Sequence, residues 1–230
     1  MLPVLIIFFS VVSLIIIITY LYLYYVTFSS WRALAIAAVN TARAYPHPRS
    51  YRACVVAVLG SGGHTAEMIA LINSLPASRY KLQALLIADS DATSLARVRA
   101  TGSALLTTDT HVHTITRARE VGGSWLGAVA KSMHAIIGGA RALALEQPAL
   151  LLINGPGTCV PVALAAYVLR AIGALRSDLK ILFVERVCRV ETLSLSGSLL
   201  YHLRIADVVA VQWETLAKRF PRAQYIGTVM

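Results

Sequence analysis

The chain is poor in charged residues, and its few cysteines follow no recognisable pattern. Charged side chains make up 14% of its 230 residues, whereas soluble domains average about 25%, which disfavours a fully solvated protein. Cys54, Cys159 and Cys188 share no metal-ligand spacing, and an odd number of cysteines cannot pair completely. We therefore predict reduced thiols in a cytosolic body, and we expect neither a metal ion nor a cofactor.

The basic residues are scattered rather than clustered. The net charge is +10 and the isoelectric point is about 9.9, yet the sequence has no dense run of Lys and Arg and no basic stripe interleaved with aromatics. Nucleic acid is therefore disfavoured as a partner. Because the mean hydropathy of +0.66 also indicates membrane contact, the basic body is expected to favour anionic lipid head groups or phosphorylated substrates.

No charged side chain occurs before Arg32, and Leu2–Phe28 is almost entirely apolar or aromatic. This run is long enough to cross a bilayer, so it predicts one transmembrane anchor. A cleaved signal peptide, the alternative, requires a basic start and a shorter apolar core. Arginines follow the run and none precedes it, which places the body in the cytosol. The chain then divides into an anchor (2–28), a juxtamembrane linker (29–52) and a cytosolic domain (53–230).

Beyond the linker, short apolar runs alternate with longer helical patterns. Apolar strands separated by helices predict a parallel sheet covered on both faces. The fold class is therefore α/β, with a single Rossmann-like domain that binds ligands at the carboxyl ends of its strands. Strands are predicted at Cys54–Leu59, Leu82–Ala88, His111–Thr116, Leu150–Ile153, Ile181–Val184 and Val208–Val211. Helices are predicted at Ala66–Leu75, Ala92–Ala100, Ser124–Glu146 (interrupted or weakened at Gly138 and Gly139) and Cys159–Ile172.

The first predicted strand ends in a glycine-rich turn with the sequence Gly60-Ser61-Gly62-Gly63-His64-Thr65. Glycines let the backbone approach a ligand closely, and the N-terminus of the following helix attracts anions. The turn lacks the third glycine of a dinucleotide fingerprint and the Gly-Lys-Ser/Thr of a P-loop. It therefore predicts a phosphate site that does not serve a nicotinamide nucleotide.

Two later turns fall on the same predicted edge of the sheet. Asn154-Gly155-Pro156-Gly157-Thr158 follows the fourth strand, and a second glycine turn favours a diphosphate over a single phosphate. Glu185–Glu191 follows the fifth strand and carries Arg186 and Arg189, whose guanidinium groups match phosphate geometry. An ordinary strand-to-helix turn and a salt-bridged surface loop are the respective alternatives.

The histidine of the glycine-rich turn has three possible roles, one of which is to donate a hydrogen bond to a phosphate oxygen. A neutral imidazole suits the acceptance of a proton from a hydroxyl group at cytosolic pH, which makes His64 a candidate general base. Alternatively, His64 only caps the helix, and Glu67 complements the helix dipole in the first turn.

Four separated motifs carry a resemblance to one family. They are GSGGHTAEM within Val58–Leu71, NGPGTCVP at Asn154–Pro161, FVERVCRV at Phe183–Val190, and VQWE followed by YIG within Val211–Val229. In this order they resemble the membrane-anchoring subunit of the two-part UDP-N-acetylglucosamine transferase of dolichol-linked oligosaccharide synthesis, the asparagine-linked glycosylation fourteen family. The resemblance spans about Ala53 to the end and departs from the family pattern at Arg186 and Cys188, where small or apolar residues are expected.

The resemblance implies one half of a two-domain glycosyltransferase. This half is the acceptor side of a GT-B fold, similar to the bacterial enzyme that makes the lipid-linked peptidoglycan disaccharide. The implied reaction is an inverting, metal-independent transfer of the second N-acetylglucosamine onto GlcNAc-diphospho-dolichol, at the cytosolic face of the endoplasmic reticulum membrane. A soluble catalytic subunit would supply the UDP-GlcNAc site.

The resemblance also implies roles for particular residues. His64 is the candidate base for the acceptor 4-hydroxyl or, failing that, a contact of the diphosphate. Glu67 and Glu185 are the alternative bases, and Gln224–Met230 is expected to belong to the partner surface. Two other classes stay open: a purely structural membrane recruiter without catalytic residues, and a self-sufficient membrane-tethered enzyme that uses a nucleotide cofactor. The acceptor diphosphate is expected at Gly60, Ser61, Gly62, Gly63, Thr65, Asn154, Gly155, Gly157, Thr158 and Arg189.

Overall fold

The computed structural model describes residues 52–91, 93–103, 105–117, 125–155 and 157–229, and only the backbone of 125–130. Seven strands form one sheet in the order β3-β2-β1-β4-β5-β6-β7, and all neighbouring strands are parallel. The predicted parallel α/β architecture is confirmed. The strands are β1 (Ala53–Leu59), β2 (Tyr80–Ala88), β3 (His111–Ile115), β4 (Leu150–Ile153), β5 (Lys180–Val184), β6 (Val208–Val211) and β7 (Ala223–Tyr225).

Helices cover both faces of the sheet, which explains why its central strands are apolar throughout. Residues 55–59 of β1, for example, are at most 1% exposed. On one face, Met68 of α1 and Val98 of α2 pack on the sheet; on the other, Leu143 of α3 and Val162 of α4 do so. The helices are α1 (Gly63–Ser74), α2 (Ser94–Ala100), α3 (Trp125–Glu146), α4 (Cys159–Ala171), α5 (Leu195–His202) and α6 (Glu214–Arg219).

Helix α3 runs without a break through Gly138 and Gly139, so the predicted interruption was wrong. A Cβ at Gly138 would lie 3.4 Å from Cγ2 of Ile115 in β3, and a Cβ at Gly139 would lie 3.1 Å from Cγ2 of Val162 in α4. The glycines therefore allow α3 to approach its neighbours closely. This packing outweighs the helix-propensity cost of roughly 1 kcal/mol for each glycine.

Three elements near the carboxyl terminus were not predicted: α5, α6 and β7. The two helices have 8 and 6 residues, too few for a clear hydrophobic period. The Ser194 hydroxyl caps α5 by accepting a hydrogen bond from the Gly197 amide at 3.0 Å. Local capping and tertiary packing, rather than a sequence period, thus define these elements.

The predicted membrane anchor, Leu2–Phe28, lies outside the described residues, as does the linker up to residue 51. Among the helices that the structure does describe, none combines the length and the apolar character needed to cross a bilayer.

The strand order reverses at β1, which places a crevice at the carboxyl ends of the strands, called here the carboxyl edge of the sheet. The chain proceeds from β1 outward to β2 and β3, and then returns to place β4 on the other side of β1. In parallel α/β sheets, ligands bind outside the carboxyl ends of the strands at such a reversal. The turns that follow β1, β4 and β5 lie at this edge, because these three strands are adjacent and parallel.

Candidate functional site

The turn between β1 and α1 presents an open helix end to the crevice. Gly60 is buried, whereas Ser61, Gly62 and Gly63 are exposed. Gly62 caps α1 with φ 68°, and no side chain hydrogen-bonds to this helix end. The first turn of α1 contains no acidic residue, so the alternative in which Glu67 complements the helix dipole there is wrong. The positive end of the dipole is therefore available to an anion.

The side chain of Thr65 stabilises this turn by hydrogen bonds on its buried side. Its hydroxyl donates a hydrogen bond to the Gly60 carbonyl and lies 2.6 Å from the hydroxyl of Ser94. The Ser94 hydroxyl in turn donates to Asp91 at 2.5 Å. Thr65 is fully buried, so its side chain positions the turn and does not reach the crevice.

The turn after β4 holds the imidazole of His64. Asn154 is fully buried, and its side-chain amide donates to the His64 carbonyl at 2.9 Å. Gly155 has φ 68°, and a Cβ built there would lie 2.2 Å from Cε1 and 2.6 Å from Nδ1 of His64. Only glycine leaves room for the imidazole in this position. The two glycine turns are therefore interlocked.

Arg186, from the turn after β5, completes the cluster. A Cβ at Gly155 would lie 3.3 Å from Cδ of Arg186, and one at Gly63 would lie 3.9 Å from its Nη2. The Arg186 side chain thus passes between the two glycine turns, although this position is one where the family resemblance leads us to expect a small residue. Arg189 is exposed on the same loop.

Three buried polar atoms at this point have no hydrogen-bond partner among the described residues. They are Nδ1 of His64, Oδ1 of Asn154 and Nε of Arg186. Buried polar atoms are almost always paired in native proteins, so three of them around one crevice call for a polar ligand or bound water. Gly157 is exposed beside them, whereas Thr158 is 6% exposed and is the N-cap residue that precedes α4.

The imidazole of His64 is neutral near pH 7. Burial and the positive charge of Arg186 lower the pKa of His64 from its ordinary value of 6.5 to about 4. Between these two values the unfolded chain binds a proton that the folded chain does not. The free energy of unfolding therefore falls as the pH drops from 6.5 towards 4.

Glu67 lies beneath the crevice rather than in it. It is 5% exposed and accepts a hydrogen bond from the Val187 amide at 3.3 Å. Burial raises the pKa of its carboxyl, although the Val187 amide and Arg186 oppose that rise. Glu67 therefore links α1 to the turn that carries Arg186.

Glu185 is fully buried, and both of its carboxylate oxygens are already paired. One accepts from the Arg186 amide at 3.0 Å, and the other accepts from the amide and hydroxyl of Ser194 at 2.7 and 2.9 Å. The carboxylate thus fixes the end of β5 to the beginning of α5. This placement favours a positioning role for Glu185 over that of a base.

Two residues of the VQWE motif hydrogen-bond to the turn after β5, a contact that the sequence did not predict. Gln212 is 2% exposed and donates to the Glu185 carbonyl at 3.0 Å, while the indole of Trp213 donates to the Val187 carbonyl at 2.5 Å. The Val229 amide donates to the Gln212 side chain at 3.0 Å. The end of the chain is therefore partly docked on the domain itself, which leaves Tyr225 and Ile226 exposed.

Comparison with known proteins identifies relatives of the chain. The family model described as "Oligosaccharide biosynthesis protein Alg14 like" matches residues 55–229. The UDP-N-acetylglucosamine transferase subunit ALG14 of Rattus norvegicus is 39% identical over 180 residues, which cover 75% of this chain and 81% of the rat protein. The Homo sapiens subunit of the same name is 36% identical over 183 residues, covering 76% and 82%. A Candida albicans subunit is 36% identical over 173 residues, covering 75% and 76%.

Among solved structures, MurG from Acinetobacter baumannii is similar in fold. The TM-score is 0.54 at 16% identity, and the match covers 76% of this chain. It covers only 44% of the MurG chain, so the similarity corresponds to less than half of that protein. At this level of identity the likeness supports the Rossmann-like fold and nothing further.

Proposed function

The chain belongs to the Alg14 family, and on that premise we propose that it is the acceptor-binding subunit of a UDP-N-acetylglucosamine transferase. In this proposal the reaction adds the second N-acetylglucosamine to GlcNAc-diphospho-dolichol. The domain is the acceptor-side half of a GT-B enzyme, and a soluble partner subunit holds UDP-GlcNAc in the other half. The chain alone is inactive.

One observation carries this proposal: the three unpartnered buried atoms of His64, Asn154 and Arg186 converge between two glycine turns. The open end of α1 and the Arg186 guanidinium both favour an anion there. Each turn also presents exposed glycine backbone, Gly62 and Gly63 in one and Gly157 in the other, to which two linked phosphates would bind. Phosphate oxygens would accept hydrogen bonds from the His64 and Arg186 nitrogens, and a hydroxyl of the acceptor sugar would donate to Oδ1 of Asn154. A lipid-linked sugar diphosphate therefore supplies a partner for each of the three atoms.

The proposed chemistry needs a base next to the acceptor sugar. The neutral imidazole of His64 accepts the proton of the 4-hydroxyl as that oxygen bonds to the anomeric carbon of the donor sugar. The bond between that carbon and UDP breaks, and UDP leaves within the partner half. The electron pair of the broken bond leaves with UDP, and the proton is held by His64.

A bound diphosphate would raise the pKa of His64 and so make it a stronger base. A pKa of about 4 makes the imidazole of the free chain a weak base, and a general base works best with a pKa near the working pH. Negative charge beside Arg186 and His64 would offset the guanidinium and raise the pKa of His64. The base is then active when the acceptor is present.

The membrane part of the proposal is supported by the sequence of the segment before the described domain. The apolar run Leu2–Phe28 would anchor the chain in the endoplasmic reticulum membrane, with the domain facing the cytosol. The exposed residues Tyr225 and Ile226 are candidates for the partner contact, since exposed apolar side chains grouped together favour docking.

A reconstitution assay tests the proposed function. The full chain in lipid vesicles that contain GlcNAc-diphospho-dolichol should transfer no sugar from UDP-GlcNAc by itself, and should do so when the soluble partner is added. A chain that lacks residues 2–28 should lose activity towards the vesicle-embedded acceptor. Transfer by the chain alone would instead support the self-sufficient enzyme, and full activity of a complex without the domain's glycine turns would support a purely structural recruiter.

The diphosphate site can be tested without the partner by NMR titration of ¹³C-labelled histidines, with pyrophosphate as the probe. The His64 resonance, assigned by its loss in His64→Ala, should titrate well below 6.5, near pH 4. Pyrophosphate should raise this pKa. The Arg186→Gln variant should also raise it, because the guanidinium charge is gone, and should respond less to pyrophosphate. A midpoint unchanged by pyrophosphate would place the diphosphate elsewhere.

A further inference from the structure

We propose that His111, His113 and Glu146 form a binding site for a divalent transition-metal ion of the zinc class. The three side chains form a cluster at the edge of the sheet on β3. This cluster lies at the opposite end of the domain from the glycine turns. The proposal is independent of the acceptor site.

The backbone brings the two histidines to one face. Alternate residues of a strand point the same way, so His111, His113 and Ile115 of β3 share the face that α3 covers. Ile115 packs against Gly138 of that helix. Two turns further along α3, Glu146 reaches both histidines at the last position of the helix.

The distances fit a metal site with little rearrangement. Nδ1 of His111 lies 2.8 Å and Nε2 of His113 lies 2.6 Å from the same oxygen of Glu146, and the three ligand atoms lie within 4.8 Å of one another. Ligands at 2.0–2.1 Å from a tetrahedral zinc ion are about 3.3 Å apart. The two contacts to Glu146 would open by less than about 1 Å, and the two histidine nitrogens, at most 4.8 Å apart, would move closer by at most about 1.5 Å.

Burial and chemistry favour a cation at this point. The Glu146 side chain is 4% exposed, His113 is 24% exposed and His111 is 60% exposed. A buried carboxylate is costly unless it is paired, and a metal ion between Glu146 and the two imidazoles would supply that pairing. Two imidazoles and one carboxylate form a ligand set that zinc accepts, with water in the fourth position. The exposed side of His111 leaves room for that water.

A metal ion here would have a structural effect. β3 is an edge strand that pairs only with β2 in the described sheet. An ion bound by two residues of β3 and the last residue of α3 would tie this edge to the helix layer. Metal binding to the folded chain alone stabilises it by mass action.

The test is a Co²⁺ titration of the full chain, purified in detergent with a tag that contains no histidine and stripped of metal beforehand. We expect one equivalent of Co²⁺ to give a visible absorption band, and Zn²⁺ to displace it. Zn²⁺ should also raise the thermal midpoint of unfolding. In His113→Ala, and separately in the more exposed His111→Ala, binding should weaken at least about tenfold and the midpoint shift should disappear.

His202→Ala is the matched control, because His202 is an exposed histidine on α5 and is remote from β3 in the sheet order. It should bind Co²⁺ as the unaltered chain does. Circular dichroism of the His111 and His113 variants verifies folding, and because His111 is largely exposed, at least that variant should fold. If the unaltered chain gives no band, or both variants bind as tightly as His202→Ala, the cluster is only a hydrogen-bonded contact and the proposal is wrong.

Discussion

Replacing His64 with Ala should lower the transfer rate of the reconstituted complex by about 10²–10⁴-fold, the range that a general base contributes. The variant removes the neutral imidazole beside the proposed acceptor site. It leaves the hydrogen bond from Asn154 to the backbone carbonyl of residue 64 intact, so the turn and the complex should persist. Initial rates with UDP-GlcNAc, together with co-sedimentation of the partner on vesicles, measure the two effects separately.

His202→Ala serves as the control for this experiment, since it removes an exposed histidine from α5 and should leave the rate unchanged. If His64→Ala keeps both assembly and turnover, the proposed base role is wrong and the imidazole is needed for neither. If the partner no longer sediments with the variant, His64 has a structural role and the rate loss does not report on catalysis.

The second large effect is expected for Gly155→Ala. The new Cβ would lie 2.2 Å from Cε1 of His64, so the imidazole must leave its position. The residue also has φ 68°, where a side chain costs about 1–2 kcal/mol. Transfer should therefore fall nearly as far as in His64→Ala, with a modest loss of stability. Rates and the midpoint of urea unfolding are the measurements.

Gly173→Ala is the control for backbone strain, because it places a side chain at a positive φ without displacing the His64 imidazole. Gly173 has φ 74°, but no atom lies within 4 Å of the added Cβ. It should lose similar stability and keep its activity. A double variant with His64→Ala gives the second control: once the imidazole is gone, Gly155→Ala should cost little further activity. Additive losses in rate would contradict the proposed contact between the two turns.

Much of the fold was predicted from the sequence because its strands are short, apolar and separated by longer helical stretches. Leu150–Ile153 and Val208–Val211 were predicted with the bounds that the structure shows. The effect of the two glycines in α3 was predicted wrongly because helix propensity alone indicates a break at a glycine pair. In the structure, the missing side chains let the helix pack closely on Ile115 and Val162. Packing partners distant in the chain cannot be recognised from local composition.

The candidate site was predicted in its location but not in its internal roles. The glycine turns and the loop after β5 were expected at one edge, and they lie there. The sequence did not show which side chains stabilise the turns and which face the crevice. Thr65 and Glu185 hydrogen-bond within the turns. His64 and Arg186 lie close to each other between them. The His-x-His alternation on β3 was visible in the sequence, but Glu146 joins it only through the fold.

The interlock of the two glycine turns has a consequence for the order of events. Asn154 and Gly155 hold His64 in place through contacts within this chain, so the entropy of ordering these turns is lost when the domain folds and not when a ligand arrives. Pre-organisation of this kind lowers the cost of binding. Under the proposed function, the lipid acceptor would therefore bind to turns that are already ordered in the free chain, and the arrival of the partner subunit would set the time of sugar transfer.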